Sequence, residues 1–128
     1  MDAGRLGFAP DTVIQELGWD EDVDDGLRKS IESLCGSPLV DGEVSDAVDG
    51  VILWWRDDDG DLVDALLDSL QDLAEGGSVW LLTPKVGRPG YVPGADIVEA
   101  APIAGLSTTT TSSASPEWSA TKLSTHKR

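Results

Sequence analysis

Two apolar segments and the patterned stretch between them constrain the fold of this chain more than any other feature. Val48–Trp55 is apolar throughout its second half, and Ser78–Leu82 is apolar after its serine. A strand that buries both faces has this unbroken apolar character, which is typical of the centre of a parallel sheet covered by helices. We therefore predict that the two segments are neighbouring parallel strands.

The stretch between these segments predicts a helix over Asp61–Ala74. Its leucines recur at spacings of three and four residues on one face, and its aspartates lie on the opposite face. Asp61 is placed to cap the start of the helix, and Gly76 and Gly77 are expected to stop it. Strand, helix and strand then form a βαβ unit, whose crossover is expected to be right-handed.

The flanking regions predict shorter elements. Before Val48 the pattern is weaker, and it indicates a short strand within residues 11–17, a helix over Asp24–Leu34 and a further short strand at Leu39–Val40. After a loop at 83–93, we expect a short helix near 94–101, an edge strand at 107–113 and its antiparallel partner at 118–125.

Together these elements predict one α/β domain over residues 1–128, with a weaker part at 1–47 and a core at 48–125. The predicted architecture is a Rossmann-like three-layer sandwich, in which a mostly parallel sheet is closed by a C-terminal antiparallel hairpin. Trp54 and Trp55 are adjacent in a strand and must point to opposite faces, so at least one packs under a helix. Trp80 and Trp118 are interpreted as core residues in the same way.

Charge is distributed unevenly along the chain. Residues 1–75 hold 21 acidic and 4 basic side chains, whereas residues 76–128 hold 3 acidic and 5 basic side chains. The acidic part repels phosphate backbones, so we expect no binding of nucleic acid. Its charge serves either solubility or the recognition of a basic protein partner.

Several further features bear on where the protein works. The longest apolar runs are far shorter than the ~18 residues that cross a bilayer, so no membrane insertion is expected. The only cysteine, Cys35, cannot form an internal disulfide and is interpreted as a small semi-buried thiol. We therefore expect a cytoplasmic protein that is a monomer or a weak homodimer.

Polar side chains that follow the two apolar strands form the candidate site. Lys85 comes after the second strand, and Asp57 and Asp59 come after the first. Open α/β sheets bind ligands at the carboxyl ends of their parallel strands, so Trp55 and Thr83 belong to the same predicted crevice. A lysine beside carboxylates there either holds an anion, tunes a proton transfer or forms a structural ion pair.

Other candidate chemistries find less support. The acidic runs at residues 20–24 and 57–61 have alternating carboxylates, but neither run has the glycine at position six and the glutamate at position twelve of a calcium loop. We interpret both as solvated turns beside helix caps and expect no metal site. His126, the only histidine, lies in a basic tail, which argues against a hydrolytic triad.

Five segments carry a resemblance to a known family. They read LGF, QELGWDEDVD, LWWRDDDGDLVDAL, WLLTPK and EWSATKL, at Leu6–Phe8, Gln15–Asp24, Leu53–Leu66, Trp80–Lys85 and Glu117–Leu123. Together they resemble DUF3052, an actinobacterial family of short Rossmann-like proteins of unknown function. The resemblance implies a fold and no activity.

The order of elements from Val48 to Leu123 also resembles the second half of a class I methyltransferase fold. Such enzymes place a glycine-rich turn after their first strand, so that the backbone can approach the cofactor. The corresponding turn here, residues 17–22, has a single glycine, and Trp19 would fill the space of a cofactor. We therefore expect no bound cofactor.

These observations leave three functional hypotheses. The leading one is a non-catalytic regulatory or protein-interaction module. The second is a small-molecule-binding or methyltransferase-like enzyme with its site at the carboxyl ends of strands 48–55 and 78–82. The third is a partner of a larger enzyme or regulator, recognised through the acidic first half of the chain.

Overall fold

The computed structural model describes residues 6–41 and 47–125, so that His126 and its basic tail lie outside the described residues. These residues form five strands and three helices. In chain order the elements are β1 (Ile14–Leu17), α1 (Asp25–Cys35), β2 (Val48–Trp54), α2 (Leu62–Ser69), β3 (Leu73–Pro84), α3 (Gly94–Ile103), β4 (Leu106–Ser113) and β5 (Trp118–Thr125).

The strands form one sheet in the order β1-β2-β3-β5-β4. β1 pairs with β2 and β2 pairs with β3 in parallel, and Leu53 lies opposite Leu81. The predicted parallel pair is therefore confirmed. The C-terminal hairpin is also confirmed, with β4 at the edge of the sheet.

The prediction of a mostly parallel sheet is wrong. β5 returns between β3 and β4 and pairs antiparallel with both, so that two of the four pairings among the described strands are antiparallel. The sheet is mixed because the hairpin inserts its second strand beside β3 instead of adding its strands in sequence. β4 also carries an irregularity between Thr108 and Thr110, where its register against β5 shifts.

The helix between the apolar strands is shorter than its pattern predicts. Instead of ending at the two glycines, α2 ends at Ser69, and Leu73 already pairs with Val48 as the first residue of β3. Gly76 and Gly77 consequently lie inside a strand. The leucine spacing continues past the end of the helix because Leu73 packs against the same core as the α2 leucines, although its backbone is extended.

Aspartates cap the first two helices. The Asp61 carboxylate accepts hydrogen bonds from the backbone N–H groups of Val63 and Asp64, at 2.8 and 3.3 Å. Asp24 accepts one from the N–H of Leu27 at 2.9 Å. A side-chain acceptor at this position satisfies N–H groups that the first turn of a helix leaves unpaired. The predicted cap of α2 is therefore confirmed, and the helix predicted from Asp24 is α1.

Apolar side chains form two clusters, one with α1 and one with α2 and α3. Trp54 belongs to the cluster of α1 and Trp55 to the other, as the alternation of a strand requires. Trp80 and Trp118 join Trp54, and the rings of Trp54 and Trp118 meet edge to face at 4.9 Å. The interpretation of these tryptophans as core residues is confirmed.

The structure also bears on the predictions for Cys35 and for membrane insertion. Cys35 was interpreted as a semi-buried thiol, but it is only 3% exposed and packs in the α1 cluster, so it is more deeply buried than predicted. Among residues 6–41 and 47–125, no helix combines the length and the apolar character that crossing a bilayer requires.

Gly50 in β2 provides a test of this packing. A Cβ atom there would lie 2.6 Å from Cζ3 of Trp80 and 3.0 Å from Cδ1 of Ile14. We expect Gly50→Ala to lower the free energy of unfolding by about 1–3 kcal/mol, since the added methyl group overpacks the α1 cluster. Urea denaturation measures the change.

The matched control is Gly94→Ala at the start of α3, where no atom lies within 4 Å of the added Cβ. Its free energy of unfolding should stay the same or rise by up to about 1 kcal/mol, because alanine loses less backbone entropy than glycine on folding. Equal denaturation midpoints for Gly50→Ala and the wild type would contradict the packing described here.

Candidate functional site

A depression opens at the carboxyl ends of β1 and β2, the end at which open α/β sheets bind ligands. Its volume is about 300 Å³. The lining residues come from the β1–α1 turn and from the end of β2 with its following turn: Gly18, Trp19, Asp20, Leu53, Trp54, Trp55, Arg56 and Asp59. Of the predicted site residues, Trp55 and Asp59 are brought together here.

The side chain of Arg56 occupies the inner wall of this crevice. Its Nη1 donates to the carbonyl oxygen of Gly18 at 2.7 Å and to that of Trp54 at 3.3 Å. Its Nε donates to the Asp22 carboxylate at 3.0 Å, and its Nη2 donates to the other oxygen of the same carboxylate. Asp59 contributes a further carboxylate at 3.4 Å from Nη1. One guanidinium group thus joins the β1–α1 turn to the turn that follows β2.

An indole ring supports this arrangement from the hairpin. The guanidinium carbon of Arg56 lies 5.3 Å from the centroid of the Trp118 ring, within the range of a cation–π contact. The Trp118 Nε1–H also donates to the backbone carbonyl of Asp22 at 3.3 Å. β5 is therefore connected to the same turn that Arg56 holds.

The ion pair stays charged at neutral pH. The hydrogen bond from Arg56 holds the pKa of the Asp22 carboxyl below its ordinary value of 3.8. Burial acts to lower the pKa of Arg56, but the hydrogen bond and the negative charge of Asp22, together with Asp59, outweigh it and leave that pKa raised. The crevice therefore contains a permanent cation that already has its own anions.

Gly18 brings the two turns into contact. Its φ is +77°, and a Cβ atom there would lie only 2.2 Å from the carbonyl oxygen of Trp54. A glycine after the first strand of a cofactor-binding fold lets the backbone approach the ligand. Here the close approach is made by the end of β2, and Arg56 donates to both carbonyl groups.

A second ion pair lies behind the crevice. Arg28 of α1 donates to both oxygens of Glu16 in β1, at 2.6 and 2.8 Å. The Trp54 Nε1–H donates to the same carboxylate at 2.9 Å. The hydrogen bonds that Arg28 donates to the Glu16 carboxylate raise the pKa of Arg28. This two-pronged pair attaches α1 to the sheet next to the crevice.

Two other predicted site residues, Asp57 and Lys85, have different hydrogen-bond partners. Asp57 is exposed, and its backbone N–H donates to the carbonyl oxygen of Gly90 at 2.9 Å. The Lys85 ammonium donates to the hydroxyl of Ser113, on β4. Within residues 6–41 and 47–125, Lys85 forms no ion pair with Asp57 or Asp59, whereas Asp59 pairs with Arg56.

Thr83 lies at a second cavity, between α3 and the sheet, with a volume of about 440 Å³. The lining residues come from β3, the loop before α3, α3 itself, β4 and β5: Thr83, Pro84, Tyr91, Val92, Gly94, Ile97, Val98, Thr108, Thr109, Thr110, Thr111, Ser119 and Thr121. The ligand-binding roles of all five predicted residues stay predictions.

The family model described as "Protein of unknown function (DUF3052)" matches residues 3–127. The chain belongs to this family. The uncharacterized proteins Rv2239c from Mycobacterium tuberculosis and Mb2263c from Mycobacterium bovis are each 51% identical to it over 121 residues, covering 94% of this chain and 76% of the relative. The predicted family resemblance is therefore confirmed.

Solved structures with a similar fold include SAM-dependent enzymes. A SAM-dependent methyltransferase from Aquifex aeolicus matches 97% of this DUF3052 chain and 87% of its own, with a TM-score of 0.66 at 8% sequence identity. Magnesium protoporphyrin IX methyltransferase from Synechocystis, solved with bound SAM, matches 97% of this chain and 74% of its own, with a TM-score of 0.56 at 10% identity. At such identities the likeness establishes the α/β fold alone.

The residues that organise the crevice in this DUF3052 protein were not among the predicted site residues. Arg56, Asp22 and Glu16 all stand in segments that carry the family resemblance, yet their partners lie far away along the chain. One signal was present: Arg56 is one of four basic residues among the first 75 and directly follows a buried strand. A lone cation at the end of such a strand indicates an internal ion pair.

Among the described residues, no group of three or more potential metal ligands converges on one point.

The lowered pKa of Asp22 predicts an acid dependence of stability. A carboxyl whose pKa is lower in the folded state stabilises the fold above its unfolded pKa, and this stabilisation is lost as the pH falls through the folded pKa. We therefore expect the free energy of unfolding of Asp22→Asn to fall less than that of the wild type between about pH 5 and about pH 3. Urea denaturation across this range measures the difference.

Asp58→Asn is the matched control, since Asp58 is an exposed residue of the turn after β2. Its denaturation midpoints should follow those of the wild type throughout the range. Parallel pH profiles for Asp22→Asn and the wild type would show that the ion pair with Arg56 contributes nothing to folding.

Proposed function

We propose that this DUF3052 protein is a non-catalytic regulatory or protein-interaction module, built on a Rossmann-like three-layer fold and working in the cytoplasm. The observation that carries the proposal is the position of Arg56. Its guanidinium group and carboxylate partners occupy the end of the parallel strands at which a cofactor would bind.

The chemistry of the β1–α1 turn supports this proposal. A nucleotide-binding turn presents free backbone N–H groups and leaves space for the ligand. Here the carbonyl group of Gly18 faces Arg56, and the turn continues with Asp20, Glu21 and Asp22. Three carboxylates at this place repel phosphate groups, and the side chain of Asp22 is already engaged by Arg56.

The candidate reactive groups lack the setting that catalysis needs. Cys35 is only 3% exposed and lies within the α1 cluster, so its thiol has no access to a substrate. The Lys85 ammonium is engaged by Ser113. A free, buried cysteine also fits a cytoplasmic location.

The acidic first half of the chain favours a basic protein partner over nucleic acid. In this proposal the protein binds its partner as a monomer or a weak homodimer. Exposed carboxylates follow each of the first two parallel strands, at 20–21 and 57–59. Association through such a surface is steered by charge and weakens as salt screens it.

A pull-down with immobilised protein tests this surface. Partners captured at low salt should be lost steeply as the ionic strength rises through the physiological range, because the Debye length shortens from about 10 Å at 0.1 M to about 3 Å at 1 M. The variant Asp57→Asn/Asp58→Asn should capture less of the same partners. If neither salt nor these substitutions changed the amount of partner captured, recognition through the acidic turns would be contradicted.

A thermal-shift titration with SAM tests whether the crevice binds this cofactor. A ligand present at 100 times its dissociation constant adds about 2.7 kcal/mol of stability. We expect no shift for the wild type, because Arg56 and Trp19 line the space that a cofactor would need. Saturable stabilisation by SAM that disappears in a Trp19→Asp variant would overturn the proposal.

The second candidate function is a small-molecule-binding or methyltransferase-like enzyme with its site at the ends of β2 and β3. It is favoured by the fold shared with a SAM-dependent methyltransferase and, at the end of β2 alone, by the crevice beside Trp55 and Asp59. Transfer of labelled methyl groups from SAM to any acceptor in a cell extract, dependent on this protein, would support it.

A further inference from the structure

The cavity between α3 and the sheet lies on the other side of the fold from α1. Residues of β3 and β5 that face it alternate with residues of the α1 cluster: Leu82 and Ala120 belong to that cluster, and Thr83 and Thr121 point the opposite way. The cavity is therefore separate from the crevice that Arg56 occupies.

The cavity exists because the composition of this sheet face changes along its strands. At one end, Leu81, Leu106 and Leu123 form a core with the alanines of α3. Toward the start of α3, the same face presents Thr83, Ser119 and Thr121. These short hydroxyl side chains do not reach the helix, so the space above them stays open.

Two of these hydroxyl groups are deeply placed and without a protein partner. Thr83 and Thr121 are each only 3% exposed. Within residues 6–41 and 47–125, neither side chain forms a hydrogen bond, and every wholly buried side-chain N or O atom there has a partner. Both hydroxyls must therefore open onto the cavity. Both hydroxyls are therefore free to exchange hydrogen bonds with a molecule in the cavity, in place of solvent.

The start of α3 adds a backbone donor to the same space. Pro93 is the N-cap residue of this ten-residue helix, and it provides no side-chain hydrogen bond to the first turn. Gly94, the first residue of α3, lines the cavity. An uncapped first turn leaves N–H groups available to an acceptor.

The remaining lining decides the class of ligand. No Lys, Arg, His, Asp or Glu is among the residues that line the cavity. Ile97 and Val98 of α3 and the ring of Tyr91 form its apolar side. A volume of about 440 Å³ lies within the range of about 300–1,000 Å³ that small-molecule sites occupy.

We propose that this cavity is a binding site for an uncharged small organic molecule with an apolar ring and an amide, carbonyl or hydroxyl group. The ring packs against Ile97 and Val98, and the polar group exchanges hydrogen bonds with the hydroxyls of Thr83 and Thr121. A threonine hydroxyl both donates and accepts, so either kind of polar group is accommodated. The observations behind this site do not depend on the proposed function. If the protein is a regulatory module, a ligand bound here would act as its effector.

Benzamide and benzoate are matched probes, since they share a ring and differ in charge. In amide NMR spectra of the full chain, benzamide should shift the signals of Thr83, Gly94 and Thr121 and saturate. Thr83→Val and Thr121→Val should each lower the affinity for benzamide by up to about tenfold, because each substitution removes one hydrogen bond and keeps the shape of the side chain. Thr125 lies in β5, like Thr121, but outside the cavity, so Thr125→Val should leave the affinity for benzamide unchanged.

A blocking variant makes the test independent of the buried threonines. Thr110→Trp places an indole ring in the cavity from the exposed strand β4, and it should abolish the benzamide shifts while the spectrum stays dispersed. Absence of saturable shifts with benzamide, or shifts that persist in Thr110→Trp, would overturn the proposal. Benzoate binding as tightly as benzamide would also overturn it, in favour of an anion at the start of α3. The SAM titration addresses the other cavity, so the two proposals fail separately.

Discussion

The guanidinium group of Arg56 is the interaction on which the ligand end of this fold depends. A buried cation is tolerated only where acceptors surround it, and the acceptors here are two backbone carbonyls and two carboxylates that come from different turns. The positions of Gly18 and Asp22 follow from this requirement. Trp118 extends the same network to the C-terminal hairpin. One side chain thus coordinates the first, second and last strands of the chain.

The fold is widely used, and the similarity to methyltransferases concerns the arrangement of strands and helices. The two cavities of this chain differ in their lining. Arg56 and Asp59, which pair with each other, line the crevice at the ends of β1 and β2, whereas the cavity under α3 is lined by uncharged residues that include the buried hydroxyls of Thr83 and Thr121. A shared scaffold does not by itself imply a shared function, because function depends on the residues placed at such sites.

The sequence predicted the elements that short-range patterns control. Unbroken apolar runs identified β2 and the buried part of β3, and their parallel pairing followed from the helix between them. The end of α2 was misjudged because Leu73 continues the helical spacing while its backbone belongs to a strand. The insertion of β5 beside β3 depends on pairing between distant segments, which periodicity does not encode. Of the five predicted site residues, Trp55 and Asp59 line one crevice, and Arg56 was missed because its partner Asp22 is 34 residues away.

The irregular register of β4 has a consequence for how this protein behaves when it is crowded. β4, the edge strand next to β5, is rich in threonine and has no charged side chain. The usual electrostatic protection of an edge strand against strand addition is therefore missing from it. The shift between Thr108 and Thr110 interrupts the even ladder that a further strand would need. A local break in backbone regularity of this kind disfavours the addition of a further strand at an edge, the effect that lysines or prolines have in other proteins.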